Sequence, residues 1–275
     1  MRINRSSKSL KLAALLLVVL SLSACYTRTE GCLDPDATNY DVTADDECDD
    51  CCTYPQLSVL MSQVFGDVGY SRTDTVMNDL GEEFVIEDVQ TYLSELYLID
   101  ESNRSFRISE TIDYTDALGD LKQLADDIIL VTPNAFGYDL GTFVNEETYN
   151  RIHIRIGVPA VIDEAQSFLV DNLHPLAVAG DSLFVSDQNK FVKTRILLRQ
   201  IGVHDVADTL QITDPEWSYS LGNFEINQDR GSSLNLNLKI DYKELISEID
   251  YNTMSVDEVK AKIGNNLIGS IGPNI

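Results

Sequence analysis

The chain has 275 residues, 44% hydrophobic and 24% charged, an ordinary globular composition that excludes wholesale disorder and has room for one β or α/β domain of about 200 residues plus extras, or for two small domains. Its 20 Lys and Arg face 45 Asp and Glu, a net charge of −25. Such a surface repels phosphate backbones, which excludes nucleic acid as a partner and leaves divalent cations or basic proteins.

Residues 1–24 read as a leader. Arg2, Arg5, Lys8 and Lys11 form a basic start, an apolar run covers Leu12 to Leu20, and the run breaks at Ser21-Leu22-Ser23-Ala24-Cys25. A bilayer-spanning helix needs about 20 apolar residues, roughly twice what is present. Leu22-Ser23-Ala24-Cys25 resembles the bacterial lipobox, which implies cleavage before Cys25 and acylation of its thiol and its new amine. Two or three acyl chains anchor stably, each buried methylene contributing about 0.8 kcal/mol. Cleavage there leaves 16 basic residues against 45 acidic ones, because no acidic residue precedes Cys25.

Residues 25–55 form an acidic, cysteine-bounded spacer. Cys32, Cys48, Cys51 and Cys52 remain once Cys25 is given to lipid, and an exported segment of this kind implies two disulfides with three connectivities open. A vicinal Cys51–Cys52 bond would be strained, which directs Cys32 to one of the later three. Zinc would need two separated cysteine pairs and is the weaker reading. Nine acidic residues and no Lys or Arg lie between Glu30 and Asp50. Asp34, Asp36, Asp41, Asp45 and Asp46 are candidate calcium ligands, since hard cations take several oxygens. An EF-hand is excluded, because Asn39 stands where its glycine belongs and Asp45 where its closing glutamate belongs. A solvated charged face is the plainer reading. Gly31-Cys32-Leu33-Asp34-Pro35-Asp36-Ala37-Thr38-Asn39-Tyr40 resembles a short module of exported Bacteroidetes proteins, which implies no activity.

From residue 56 to 275 the dominant period is two. Candidate strands run through Leu57–Phe65, Glu83–Val89, Thr91–Ile99, Ser105–Ile108, Ile128–Val131, Ile152–Val158, Val192–Leu198, Ser218–Ile226 and Leu234–Tyr242. Many short alternating strands predict a mainly β fold, an antiparallel sandwich or barrel-like domain. Residues 163–190 show no clean period and read as a long loop. Ser255 and Glu258 form a capping box for a C-terminal helix whose stripe is Val256, Val259, Ile263 and Leu267.

No nucleophile elbow, phosphate loop or zinc-protease motif is present, so the expectation is a non-enzymatic protein. His153 falls on the wet face of its strand beside Arg155. His204 follows a strand, and His174 lies in the long loop among carboxylates, which makes it the candidate metal ligand. A lone imidazole is a weak site, since transition metals recruit several nitrogen or sulfur ligands. Met61, Met77 and Met254 read as core filler.

Three segments together resemble the MbnP-like family of exported proteins, named for a periplasmic copper-binding member encoded beside a di-haem partner. They are Gly81 to Leu98 (GEEFVIEDVQTYLSELYL), Ile154-Arg155-Ile156-Gly157-Val158-Pro159, and Ala261-Lys262-Ile263-Gly264-Asn265-Asn266-Leu267. They occur in family order over residues 57–271. The resemblance implies a β-sandwich domain, copper as a ligand and an envelope partner. The chain departs from the family where copper would bind: Leu176 to Lys193 has no Trp, Tyr or Met, Trp217 lies elsewhere, and Leu57–Phe65 has no histidine. The resulting expectation is an outer-membrane lipoprotein facing the periplasm, anchored through its lipid, with an altered copper site and a metal or protein as ligand. The alternative is a structural or adhesive surface module without a small ligand.

Overall fold

The computed structural model describes residues 27–144, 147–165, 167–177, 183–185, 190–203, 205–213, 217–222 and 225–274. The leader, Cys25 and His204 therefore lie outside the described residues. The chain divides into two compact units, one ending at Thr53 and the other Tyr54–Ile275.

In the first unit, Cys32 bonds Cys52 and Cys48 bonds Cys51. Among its described residues the buried apolar ones are Cys32 and Ala37, and the cross-links add to that small cluster by removing entropy from the unfolded chain. A two-residue parallel pair, Glu30–Gly31 with Asp46–Glu47, closes it.

The second unit is built on strands. β1 is Gln56–Phe65 and β2 is the 18-residue Glu83–Asp100. Next come β3 (Thr111–Thr115), β4 (Leu121–Ala125), β5 (Ile129–Val131), β6 (Gly137–Thr142) and β7 (Thr148–Ile156). After the short helix α1 (Ala160–Asp163) come β8 (Ser167–Leu169), β9 (Thr194–Gln200), β10 (Asp208–Ile212), β11 (Trp217–Leu221) and β12 (Leu234–Asp241). The chain ends with α2 (Tyr242–Leu245), α3 (Val256–Ser270) and β13 (Ile271–Pro273).

The large sheet has the order β10–β9–β2–β7–β11, with β5 also on β2, and its pairings are antiparallel. The second sheet has the order β6–β1–β12–β13. Here β1 and β12 run parallel, Leu57 opposite Leu234 through Val64 opposite Asp241. The fold is thus mainly β with a short C-terminal helix, as the periodicity predicts, and this one long parallel pair is an addition that strand period alone does not encode. Leu57, Val59 and Met61 of β1 and Leu236, Leu238 and Ile240 of β12 pack with Ile152, Ile154 and Ile156 of β7 in one core. Each such side chain contributes about 1.5–3 kcal/mol when fully buried.

Helix α3 starts on the expected reciprocal cap between Ser255 and Glu258. Val259, Ile263 and Leu267 are fully buried, whereas Val256 in the first turn is exposed. No helix among the described residues is long and apolar enough to cross a membrane.

Three sequence expectations are corrected. The candidates Glu83–Val89 and Thr91–Ile99 are one strand, continued across three register shifts against its two neighbours. Lys193 falls inside the candidate strand Val192–Leu198 but outside the observed one, Thr194–Gln200. It precedes β9, is buried, and lays its stem against Gly157. The supposed loop over 163–190 carries β8, which adds to β3, and a short pair between Phe184–Val185 and Lys190–Phe191. Leu176, Leu183, Phe191 and Val192 join Tyr92, Val158 and Ile162 in a second core, and this burial orders a stretch that no local period announces.

Candidate functional site

The segment Ala125-Asp126-Asp127-Ile128 separates two cavities. Asp126 and Ile128 line one of ≈ 570 Å³; Ala125 and Asp127 line another of ≈ 330 Å³. Adjacent residues of an extended segment point to opposite sides, so one acidic dipeptide supplies a carboxylate to each cavity.

His174 falls on the wall of the larger cavity. Its Nε2 lies 2.8 Å from Asp126 Oδ1, and its Nδ1 accepts from the Leu176 backbone N–H at 3.1 Å. Nδ1 is therefore the acceptor and Nε2 the donor, and a metal could be taken only by giving up one of these bonds. Ile128, Leu130, Tyr138 and Pro175 supply apolar wall.

The smaller cavity has richer chemistry. Its charged groups are Glu95 from β2, Arg107 beyond the short Ser105–Phe106 strand, Asp127 before β5 and Arg155 from β7. Glu95 sits where β2 bulges against β7: His153 pairs with Tyr97, and Arg155 pairs with Ser94. Its φ is 50°, the left-handed region, which costs a non-glycine residue about 1 kcal/mol or more. Asp127 holds the bulge in place, accepting the Glu95 N–H at 2.9 Å on one carboxylate oxygen and Arg107 Nη1 at 3.0 Å on the other. The Asp127 side chain is 2% exposed. Burial pushes its carboxyl up to about 6 against the opposing pull of Arg107.

The Arg107 guanidinium lies 4.0 Å from the Tyr97 ring centre, and Tyr97 stacks on His153 at 4.4 Å. Arg155 Nε is 3.1 Å from Glu95 Oε2. His153 does occupy the face opposite Ile152, Ile154 and Ile156, but it is half-buried and not simply a solvated histidine. Its Nε2 is 2.7 Å from Ser218 Oγ and its Nδ1 3.2 Å from Ser220 Oγ. Burial lowers its pKa first of all, Glu95 opposes that, and Arg107 and Arg155 reinforce it, so the ring is neutral at neutral pH.

Ser218, His153 and Glu95 invite comparison with a catalytic triad. The geometry is wrong for one. Glu95 Oε2 approaches Nε2, at 3.8 Å, the same nitrogen that meets Ser218. An orienting carboxylate must hold the opposite nitrogen. The set is suited to holding charge: two guanidiniums and two carboxylates around a small space, with Leu124, Pro159 and Val161 as apolar lip.

In the acidic unit four of the five candidate calcium ligands, Asp34, Asp41, Asp45 and Asp46, have their carboxylates bonded to protein groups. Asp34 Oδ1 accepts the Asp36 N–H at 2.9 Å, and Asp41 Oδ1 accepts the Thr43 N–H at 2.8 Å and hydroxyl at 2.6 Å. Asp45 accepts the Thr29 N–H, and Asp46 pairs with Arg28 at 2.9 Å. Among the described residues no three His, Cys, Asp or Glu converge as metal ligands would. Both ring nitrogens of His153 and of His174 already bond protein groups, so a metal at either would have to displace one of those bonds.

The alternation of β7 puts His153 and Arg155 on its outer face, whereas no pattern in the sequence marks Glu95, Arg107 or Asp127 as their neighbours. The legible signal was the pair Asp126-Asp127 set between apolar Leu124 and Ile128-Ile129; the positive φ of Glu95 has no signature in its residue type.

No family model and no curated protein matches the chain. Among solved structures it is similar to MbnP from Methylosinus trichosporium, with 10% identity and a TM-score of 0.38, over 69% of this chain and 76% of that one. No residue role is carried over from it.

Proposed function

We propose that the chain is a lipid-anchored, non-enzymatic binding protein of the cell envelope, held at the outer membrane and facing the periplasm. Its β domain takes an organic ligand at the charged cavity around Glu95, Arg107, Asp127 and Arg155, not at a copper centre. That cavity is the observation that supports the reading. It combines a left-handed non-glycine residue, a buried carboxylate and two guanidiniums on a rigid sheet, and strain and burial of this kind gather at binding sites. The lipobox-like Cys25 supports the anchor, and the disulfide-bonded acidic unit serves as the spacer between anchor and domain.

The test is a thermal-shift screen of small organic ligands on Cys25→Ala protein, with copper content measured in the same preparation. A ligand whose stabilisation disappears in Arg107→Gln supports the proposal. One equivalent of copper per chain, with no ligand that depends on Arg107, overturns it.

A further inference from the structure

We propose that the ≈ 330 Å³ cavity binds a free apolar α-amino acid as its zwitterion. The inference rests on the binding function proposed above and names its ligand class.

Three observations converge. The first is charge. The cavity wall carries Arg107 and Arg155 with Glu95 and Asp127, two charges of each sign. A ligand presenting one carboxylate and one ammonium finds a counter-charge for both. Arg107 reaches Asp127 through Nη1, its side chain is 40% exposed, and among the described residues no further acceptor meets its guanidinium. Its planar fork can therefore take a ligand carboxylate while it keeps Asp127. Tyr97 beneath the guanidinium fixes its plane. The ammonium falls to Glu95, whose carboxylate is on the cavity wall beside Arg155.

The second is the field of the whole molecule. A chain of net charge −25 repels a simple organic anion at long range and attracts cations without discrimination. A zwitterion carries no net charge and is not turned away, and the locally neutral cluster recognises its dipole at contact.

The third is size and lining. Ligand pockets run from about 300 to 1,000 Å³, and this one lies at the small end. Leu124, Pro159 and Val161 line it beside the charges, and Val161 is 42% exposed. An aliphatic side chain placed there leaves water, which favours an apolar amino acid over a polar one.

Isothermal titration of the Cys25→Ala chain with L-leucine, leucinamide and 4-methylpentanoate tests the proposal. Leucinamide lacks the carboxylate and 4-methylpentanoate lacks the amine. Leucine should bind at least tenfold more tightly than either. Arg107→Gln should weaken leucine at least tenfold, and so should Val161→Glu, a change at an exposed position that leaves the cluster intact. Circular dichroism melts of both variants establish that they fold. Equal binding of leucine and leucinamide, undiminished binding in Arg107→Gln, or no heat with leucine would each overturn the amino-acid assignment. If leucine fails while another organic ligand binds in an Arg107-dependent way, only the ligand class is wrong; if no Arg107-dependent ligand exists, the binding function falls with it.

Discussion

Asp127 joins the bulge, the ion pair and the cavity, and its ionisation is a stability statement. Its carboxyl stands at about 6 in the folded chain against 3.8 for the ordinary group. Between those values the folded chain holds more protons than the unfolded one. Stability from this group therefore rises as pH falls from about 6 to about 4, by up to about 3 kcal/mol. His153 acts in the opposite sense, since its depressed pKa makes acid destabilising. The comparison with Asp127→Asn isolates the carboxylate. Urea unfolding at pH 7 and pH 4 should show wild type gaining about 1–3 kcal/mol on the variant upon acidification; identical pH slopes would contradict the buried charge. Gly157 is a second sensitive residue. Its φ is 107° and an added Cβ would lie 2.9 Å from the Lys193 stem. Gly157→Ala should lower stability by about 2 kcal/mol or more in the same assay, and a neutral effect would mean that the turn relaxes freely.

The elements differ in how far their residues announce them. In β12 the apolar positions Leu236, Leu238 and Ile240 alternate with Asn235, Asn237 and Lys239, and this strand was legible because one face is buried and the other wet. Helix α3 was legible through its capping box. Ser255→Ala should cost about 1 kcal/mol and Ile263→Ala about 2–5 kcal/mol, because Ile263 is fully buried under the sheet. Chemical denaturation measures both, and a reversed order would mean that the helix is held by its cap and not by packing. The β3–β4 hairpin has no signal in the sequence because the outer half of β4, Leu121 to Gln123, is exposed and shows no burial period. β2 read as two strands because its register shifts at the bulges cannot be seen from one strand alone. The charged cavity was illegible for the same reason at longer range. Residues 95, 107, 127 and 155 meet only after β2, β5 and β7 pair, and no local motif links them. His174 was visible as a residue with acidic neighbours, but its bonds to Asp126 and Leu176 give it a structural role that composition does not disclose.

In the whole molecule, attachment and folding belong to different parts of the chain. The β domain has its own core, contained within Tyr54–Ile275, so the proposed acyl anchor at Cys25 would contribute to location and nothing to that core. Ligand binding should likewise survive release from the membrane, so Cys25→Ala protein should titrate as the anchored chain does. The partition of wild type and Cys25→Ala between carbonate-washed outer membranes and the soluble periplasm, with palmitate labelling of both, tests the proposed anchoring. Wild type should be labelled and remain with the membrane. Cys25→Ala should be unlabelled and soluble, with an unchanged melting curve for its β domain. A Cys25→Ala chain that stays with the washed membrane, or an unlabelled wild type, would contradict the account of a lipid-anchored envelope binding protein.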